Sequence, residues 1–566
     1  MGTIFHLSCP SCGAQVSVRS ATSVLVVCDY CQSMLVRQPD NRFSDNGKTS
    51  AVLEDYSLIQ IGTTGRYLDR PFTVIGRLQK EYDRGSWNEW YLIFDDGQDG
   101  WLSDSCGQYA VTVLKEKAYE SAPRYEETTP GGTQFRYGGQ MFLAADVRSA
   151  KSLSAKAQGE LPFILNKDEI TYAADYRASK SFLTLDYTHC PPEHHEHIDK
   201  DAVIDFEYVK WPAKGNKDEK KPAPQRTAQV DKPKGPELYF GHSVTLEDLR
   251  CQLLRTQEQI QERAGKLRGK AEQFACPNCG APMNWYPGIA HFVVCPSCHA
   301  DVDITSGQAS LFGMHSMREA QISAASIKLG EIAKIGGHSW EVIGLMRCLE
   351  LEADGSTYLK ETYASYMPHL EDHPMTLVQS SDWFEYLLYH PTEGFRWIVE
   401  TDEGWEQVVG IDNWPSWDKT GSVRLAGKTF SKQWEYGSKV IYAAGAFTWH
   451  VRPEDTTFIA DYRHKEEKLT IERTGNEITW SRSRPVSENA IAAWFHRPEL
   501  AKIEKKGFDG EGKQKSLRTV AIVATALLLL VNLPAIASSG LEEYMDSMTF
   551  ACILLWAPIY MRRTID

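Results

Sequence analysis

Residues 9–31, CPSCGAQVSVRSATSVLVVCDYC, decide how this chain is read, because residues 276–298, CPNCGAPMNWYPGIAHFVVCPSC, write the pattern again. Both have a Cys-x2-Cys…Cys-x2-Cys layout with 15 residues between the inner cysteines. Four thiolates fill a tetrahedral Zn2+ shell and leave no open position, so the pattern is that of a structural ribbon. Pro10 and Gly13 flank Cys12 as a knuckle turn requires, and residues 24–27, VLVV, read as a strand partnered by Val16 and Val18. About 30 residues bury too little surface to fold alone, and metal binding supplies the missing stability. The expected cofactors are two structural Zn2+ ions, one on Cys9, Cys12, Cys28 and Cys31, the other on Cys276, Cys279, Cys295 and Cys298. Two disulfides, a redox cysteine pair or an iron site are the competing uses of such cysteines.

The segments behind the ribbons also repeat. Residues 87–102, WNEWYLIFDDGQDGWL, align without a gap to residues 383–398, WFEYLLYHPTEGFRWI. Val-Ile-Gly recurs at 74–76 and 342–344, and TYAADYR at 171–177 corresponds to TFIADYR at 457–463. Apolar runs broken by turn signals such as DDGQDG predict antiparallel strands in a small barrel or sandwich. The repeated Trp and Val positions read as core. Glu89 and Glu385 are charges inside otherwise apolar strands, where burial is costly without a partner. Arg177 and Arg463 are the partners this predicts, as structural bridges or as ligand-binding pairs. No nucleophile–His–Asp set, phosphate-cradling loop or HExxH is shared by the copies.

These motifs resemble a bacterial family, domain of unknown function 4178, more strongly in the first copy than in the second. The resemblance implies N-terminal zinc ribbons and no established activity. It also implies encoding near polyamine-synthesis enzymes and small membrane proteins, and so an envelope or stress role.

The predicted organisation is mainly β. A zinc ribbon (1–37) precedes a β module (56–211), a disordered Lys/Pro linker (212–242) and one long linking helix (243–273). A second ribbon (274–306), a second β module (327–497) and a transmembrane hairpin (517–562) follow. The helix is read from Leu246, Leu249, Leu253, Ile260 and Leu267, with Ser243 or Thr245 as cap. Cys190, His194, His195 and His197 form a loop or a further metal site.

With 566 residues the chain exceeds one core, and a net charge of −14 disfavours general nucleic-acid binding. The ribbons sharpen this, since residues 4–36 hold only Arg19 and residues 274–305 no Lys or Arg. Residues 519–538 are uncharged and long enough to span a bilayer, and residues 544–560 form a second apolar run. Basic residues precede the first run and follow the second, and the loop between them holds Glu542, Glu543 and Asp546. The positive-inside rule then puts both ends in the cytoplasm of a bacterial inner membrane. The expected function is a membrane-anchored cytoplasmic scaffold that binds one or more unknown protein partners, without nucleic acid. The alternative is a ligand-binding or enzymatic pair of β modules, linked to polyamine metabolism.

Overall fold

In the computed structural model the described residues are 5–192, 235–259, 272–314 and 325–502. Within these, 41, 49–56, 83, 106, 152–155, 166–169, 257, 286–291, 299, 304–309, 356–372, 377–381, 391–392, 418–420 and 453–454 are left out. The first ribbon is two hairpins: Phe5–Ser8 with Gln15–Val18, and β1 (Leu25–Val27) with Ser33–Arg37. The first module runs β2 (Arg70–Tyr82), β3 (Gly85–Phe94), β4 (Asp99–Ser105), β5 (Gln108–Glu116), β6 (Gln140–Lys151), β7 (Lys156–Leu161), β8 (Ile170–Ala178), β9 (Ser181–Asp186) and β10 (Glu237–Val244). The second ribbon repeats the first, with Glu272–Ala275 on Pro282–Trp285 and β11 (Phe292–Val294) on Ala300–Asp303. Behind it come β12 (His338–Gly355), β13 (Asp382–His390), β14 (Gly394–Thr401), β15 (Gly404–Gly410), β16 (Lys428–Phe447), β17 (Thr456–His464), β18 (Glu467–Arg473) and β19 (Ile478–Val486).

Antiparallel pairing carries the second ladder from β12 through β13, β14, β15, β19, β18, β17 and β16, which pairs back onto β12. The result is a closed eight-strand barrel. Of the two folds expected, barrel and sandwich, this is the barrel, and closure leaves it no free sheet edge. The first module follows the same strand order. There β6 pairs with β8 and β7 with β2, so the two together stand where the single β16 stands in the second copy.

Each ribbon is a further strand of its own barrel. Leu25 and Val26 of β1 pair with Leu161 and Glu160 of β7, and Phe292–Val294 pair with Phe447, Ala446 and Gly445 of β16. The Val-Ile-Gly repeat explains how strands this long can bend around the barrel. A bulge falls between Val74 and Gly76, and again between Val342 and Gly344. Each bulge glycine faces a second glycine, Gly159 or Gly445.

Ser487 caps a short helix, α1 (Glu488–Phe495), by accepting from the N–H of Ala490 at 3.2 Å. The helix buries Ile491, Ala492 and Phe495 with Trp340, Val342 and Trp405. It ends at His496, which takes the left-handed conformation.

The two copies are fastened to each other within one compact unit. Arg84 grips Asp455 with both terminal nitrogens, at 2.8 and 3.0 Å. Arg148 holds Asp146 of its own copy and Glu477 of the other. Leu143 and Ala145 join the apolar cluster of Trp414, Phe458 and Tyr462.

Three expectations need correction or fall outside the described residues. Residues 237–242, expected in a disordered linker, belong to β10, which pairs with β5 and β9 and completes the first ladder. The helix expected over 243–273 does not start at its predicted cap. Thr245 and Asp248 do exchange capping bonds, 3.0 and 3.2 Å, but Arg250 and Leu253 turn left-handed. Gln252 then bridges to Thr64, and Leu249 packs under the barrel with Val244. Of the leucines in the expected stripe, Leu249 is buried and Leu253 is 67% exposed. Helix is described only at Glu258 and Gln259, and residues 260–271 lie outside the description. The transmembrane hairpin expected at 517–562 also lies outside it. Among the described residues no helix is long and apolar enough to cross a membrane.

Candidate metal centres and the barrel interior

Each ribbon brings four thiols together. In the first, Sγ of Cys9 lies 3.7 Å from that of Cys31, and Cys12 lies 3.8 Å from Cys28. In the second, Cys276–Cys298 and Cys279–Cys295 give 3.7 and 3.8 Å. Four sulfurs at about 2.3 Å from a tetrahedral ion stand about 3.8 Å apart. A disulfide needs about 2.05 Å, so the disulfide alternative fails and all eight cysteines are free thiols. The backbone builds the cradle identically. The N–H of Cys9 and of Cys276 donate to Ala14 and Ala281, and Gly13 and Gly280 turn left-handed to donate back to Cys9 and Cys276. The Ser33 hydroxyl, 3.3 Å away, and then its backbone N–H, bring the Cys31 thiol down to about 6. Burial works against ionisation of Cys298, but donation from Asn278 and the Ala300 N–H outweighs it, to about 7. Burial pushes the thiols of Cys28 and Cys295 the other way, Cys295 to about 12, so Cys31 and Cys298 are the ones that ionise first in their clusters. The two clusters can therefore each hold a metal ion.

The ribbon is also locked to the barrel by polar contacts. In the first copy Glu160 of β7 accepts from the N–H of Arg19 (2.7 Å), the N–H of Ser20 (3.0 Å) and the Ser23 hydroxyl (2.7 Å). In the second, buried His450 stacks on Phe292 and meets Asp301 at 3.0 Å.

The predicted Glu–Arg pairs do not form. Glu89 accepts from Trp87 Nε1 and the Ser103 hydroxyl, both at 2.7 Å. Arg177 instead donates to the Ser243 hydroxyl and lies over Phe182 at 4.6 Å. Glu385 accepts from Trp383 Nε1 at 2.7 Å, and Arg463 is exposed. The Trp–Glu bond is thus the same in both copies. So is a second pair that the sequence reading missed, in which Thr184 donates to Asp175 and Thr470 to Asp461, each at 2.6 Å. The signal was available in the repeated Asp of ADYR and in TLD (184–186) against TIE (470–472).

These polar groups line the inside of the barrels. Phe384, Tyr386 and Leu388 turn outward under α1, so strand alternation sends Glu385 the other way. Glu385 and Glu472 stand on β13 and β18, four steps apart either way round the ladder, yet repel each other. Asp175 and Glu89 oppose each other similarly in the first barrel. Burial, then repulsion from Glu385 and Asp461, lifts the Glu472 carboxyl to about 8. Burial lifts Asp175 to about 6, against the donation from Thr184. Lys468 offsets part of the second cluster by pairing with Glu406 at 2.7 Å and Asp461 at 3.6 Å.

A carboxyl whose folded pKa is raised adds stability below its unfolded pKa and loses it as pH climbs through the folded value. The chain is therefore expected to lose stability between about pH 4.5 and 8. Glu472→Gln should flatten that slope and gain about 2 kcal/mol at pH 9, with allowance for screening of a half-buried group. Urea melts of both proteins at pH 5.5 and 9 check this, and parallel losses would remove Glu472 as the cause.

Of the predicted histidine loop, His189 and Cys190 lie in a turn, with Cys190 against the core of the first barrel. His194, His195 and His197 lie outside the described residues.

Comparison with known proteins adds one result. The family model described as Domain of unknown function (DUF4178) matches residues 60–196 and 328–488, over half of the chain. The chain belongs to this family. Its two DUF4178 regions fall within the two repeated β modules, so the chain carries the domain in tandem. The first match ends before β10, the second includes β19, and the two strands hold equivalent places in their ladders. No curated protein and no solved structure matches.

Proposed function

We propose that this DUF4178 protein is a zinc-stapled interaction scaffold, held at the cytoplasmic face of a bacterial inner membrane by the hairpin at 517–562. One observation carries the scaffold reading: each four-thiol ribbon is continuous with the sheet of the barrel behind it. A four-coordinate ion there has no open position for chemistry, and Zn2+ is the ion that best fits such a structural site. Its work is to fix a rigid ribbon-and-barrel face, presented twice. The near absence of cations on the ribbons supports a protein partner over a nucleic acid.

The membrane attachment rests on the uncharged run at 519–538 and its basic flanks. Full-length protein is expected in the membrane fraction after high-salt washing, with deletion of 517–562 releasing it to the supernatant. Crosslinked complexes recovered from membranes should then lose components when residues 1–38 are deleted. Fractionation unchanged by the first deletion would end the anchoring reading. An unchanged set of components after the second would end the ribbon's role in recognition.

A second reading draws on the acidic interiors. Glu89 and Asp175, like Glu385 and Glu472, remain half-buried rather than sealed. Two barrels lined in this way suit a small polar ligand, and ligand-dependent protection of these four residues would favour it.

A further inference from the structure

A third group of metal-type side chains lies apart from both ribbons. His338, His390 and Glu393 each bring one ligand atom within 4.8 Å of the others. His338 opens β12 directly after the left-handed pair Gly336 and Gly337, His390 ends β13, and Glu393 stands in the turn into β14. Two hairpin tips of the second barrel therefore meet here. The imidazole rings stand edge to face, centroids 4.8 Å apart and planes at 76°. His338 and Glu393 are exposed, and His390 is half-buried beside Trp340, 5.5 Å between ring centroids.

The first copy serves as an internal control. By the alignment of the repeats, Arg70 stands where His338 does, Phe94 where His390 does, and Gly97 where Glu393 does. There the Arg70 guanidinium lies over the Phe94 ring at 4.2 Å and pairs with Asp96 at 2.6 Å. One copy ties this corner with an ion pair and a ring. The other replaces that tie with two imidazoles and a carboxylate.

We propose that His338, His390 and Glu393 bind one divalent transition-metal ion, independently of the ribbons. Two imidazole nitrogens select a borderline ion such as Zn2+, Co2+ or Ni2+ over Mg2+ or Ca2+. Three protein ligands leave the remaining positions to water. The N–H of Glu393 donates to Nδ1 of His390 at 3.2 Å, a long bond that costs little to replace. Arg396, over Trp340 at 4.3 Å, adds a positive charge to the same corner. That charge and the exposure of two ligands weaken the site.

The test uses full-length protein with its ribbon metal in place. After equilibrium dialysis against micromolar Co2+, total metal per chain is counted for wild type, for His390→Ala, and for His338→Arg with His390→Phe. The double variant restores the arginine and the aromatic ring of the first copy, where Arg70 lies over Phe94, and so keeps a folded reference. The expected result is one more equivalent in the wild type than in either variant. Its Co2+ spectrum should show ligand-field bands without thiolate charge transfer. Equal metal content in all three, or a thiolate band from the added Co2+, would overturn the proposal.

Discussion

Cys295→Ser is expected to remove one metal ion per chain and to loosen more than the ribbon that holds it. Cys295 is fully buried, and Val293 and Val294 beside it pair with Ala446 and Gly445 of the barrel. These ribbon residues share one apolar cluster with Ile343, Leu387 and Phe447. Metal binding in small zinc peptides is worth about 10–16 kcal/mol, so the ribbon has no folded state without it. Its loss bares the barrel residues beneath, at a cost of about 2–4 kcal/mol to the second barrel. Metal analysis, melting temperature and amide exchange on 438–447 read the three parts of this result. Two ions still bound would refute the site, and exchange on 438–447 unchanged after ribbon unfolding would refute the coupling. Cys28→Ser should act on β7 in the same way, since β1 is placed on it as β11 is on β16.

Gly445→Ala is expected to cost about 3–5 kcal/mol, enough to threaten folding of the second barrel. Gly445 has φ +92°, and an added Cβ would come within 2.3 Å of the Ile343 carbonyl oxygen. Gly159, its counterpart, has φ +68° and would meet the Ile75 carbonyl at the same 2.3 Å. The carbonyl belongs to the isoleucine of Val-Ile-Gly both times, so nothing flexible can give way. Gly427→Ala is the control, because Gly427 also has positive φ (+77°) but open space around it. It should cost only about 1 kcal/mol. Denaturant melts of the two variants separate the terms, and equal losses would show that backbone conformation alone matters there.

What the sequence disclosed divides along chemical lines. The four-thiol clusters were legible because tetrahedral coordination asks for a particular residue type at a particular spacing. The central strands were legible from WNEWYLIF, a run too apolar to stand anywhere but mid-sheet. Strand β10 was missed because PELYFGHSV follows a Lys/Pro stretch and carries Gly241 at its centre, features of a linker. Gly241 is there because β5 leaves no room, a Cβ falling 1.7 Å from the Val111 carbonyl oxygen. That reason belongs to the neighbour and cannot be read locally. The partner of Glu89 was misassigned for a related cause. Asp175 and Arg177 lie on the same face of one strand, and alternation cannot say which sits opposite Glu89. Charge complementarity favoured the arginine, whereas the fold satisfies Glu89 with Trp87 and Ser103 and leaves the aspartate facing it.

The late arrival of β10 changes where this gene can be divided. The stretch from 193 to 234 has the composition of a tether between domains, yet it interrupts one, since β9 before it and β10 after it are hydrogen-bonded neighbours. The second copy joins the matching strands β18 and β19 through 474–477 alone. A truncation placed in the Lys/Pro stretch would hand the first repeat over without its closing stave and leave that stave as a sticky leader on the second. Each repeat can be expressed whole only from a boundary beyond Arg255, whose backbone N–H still bonds to Leu58.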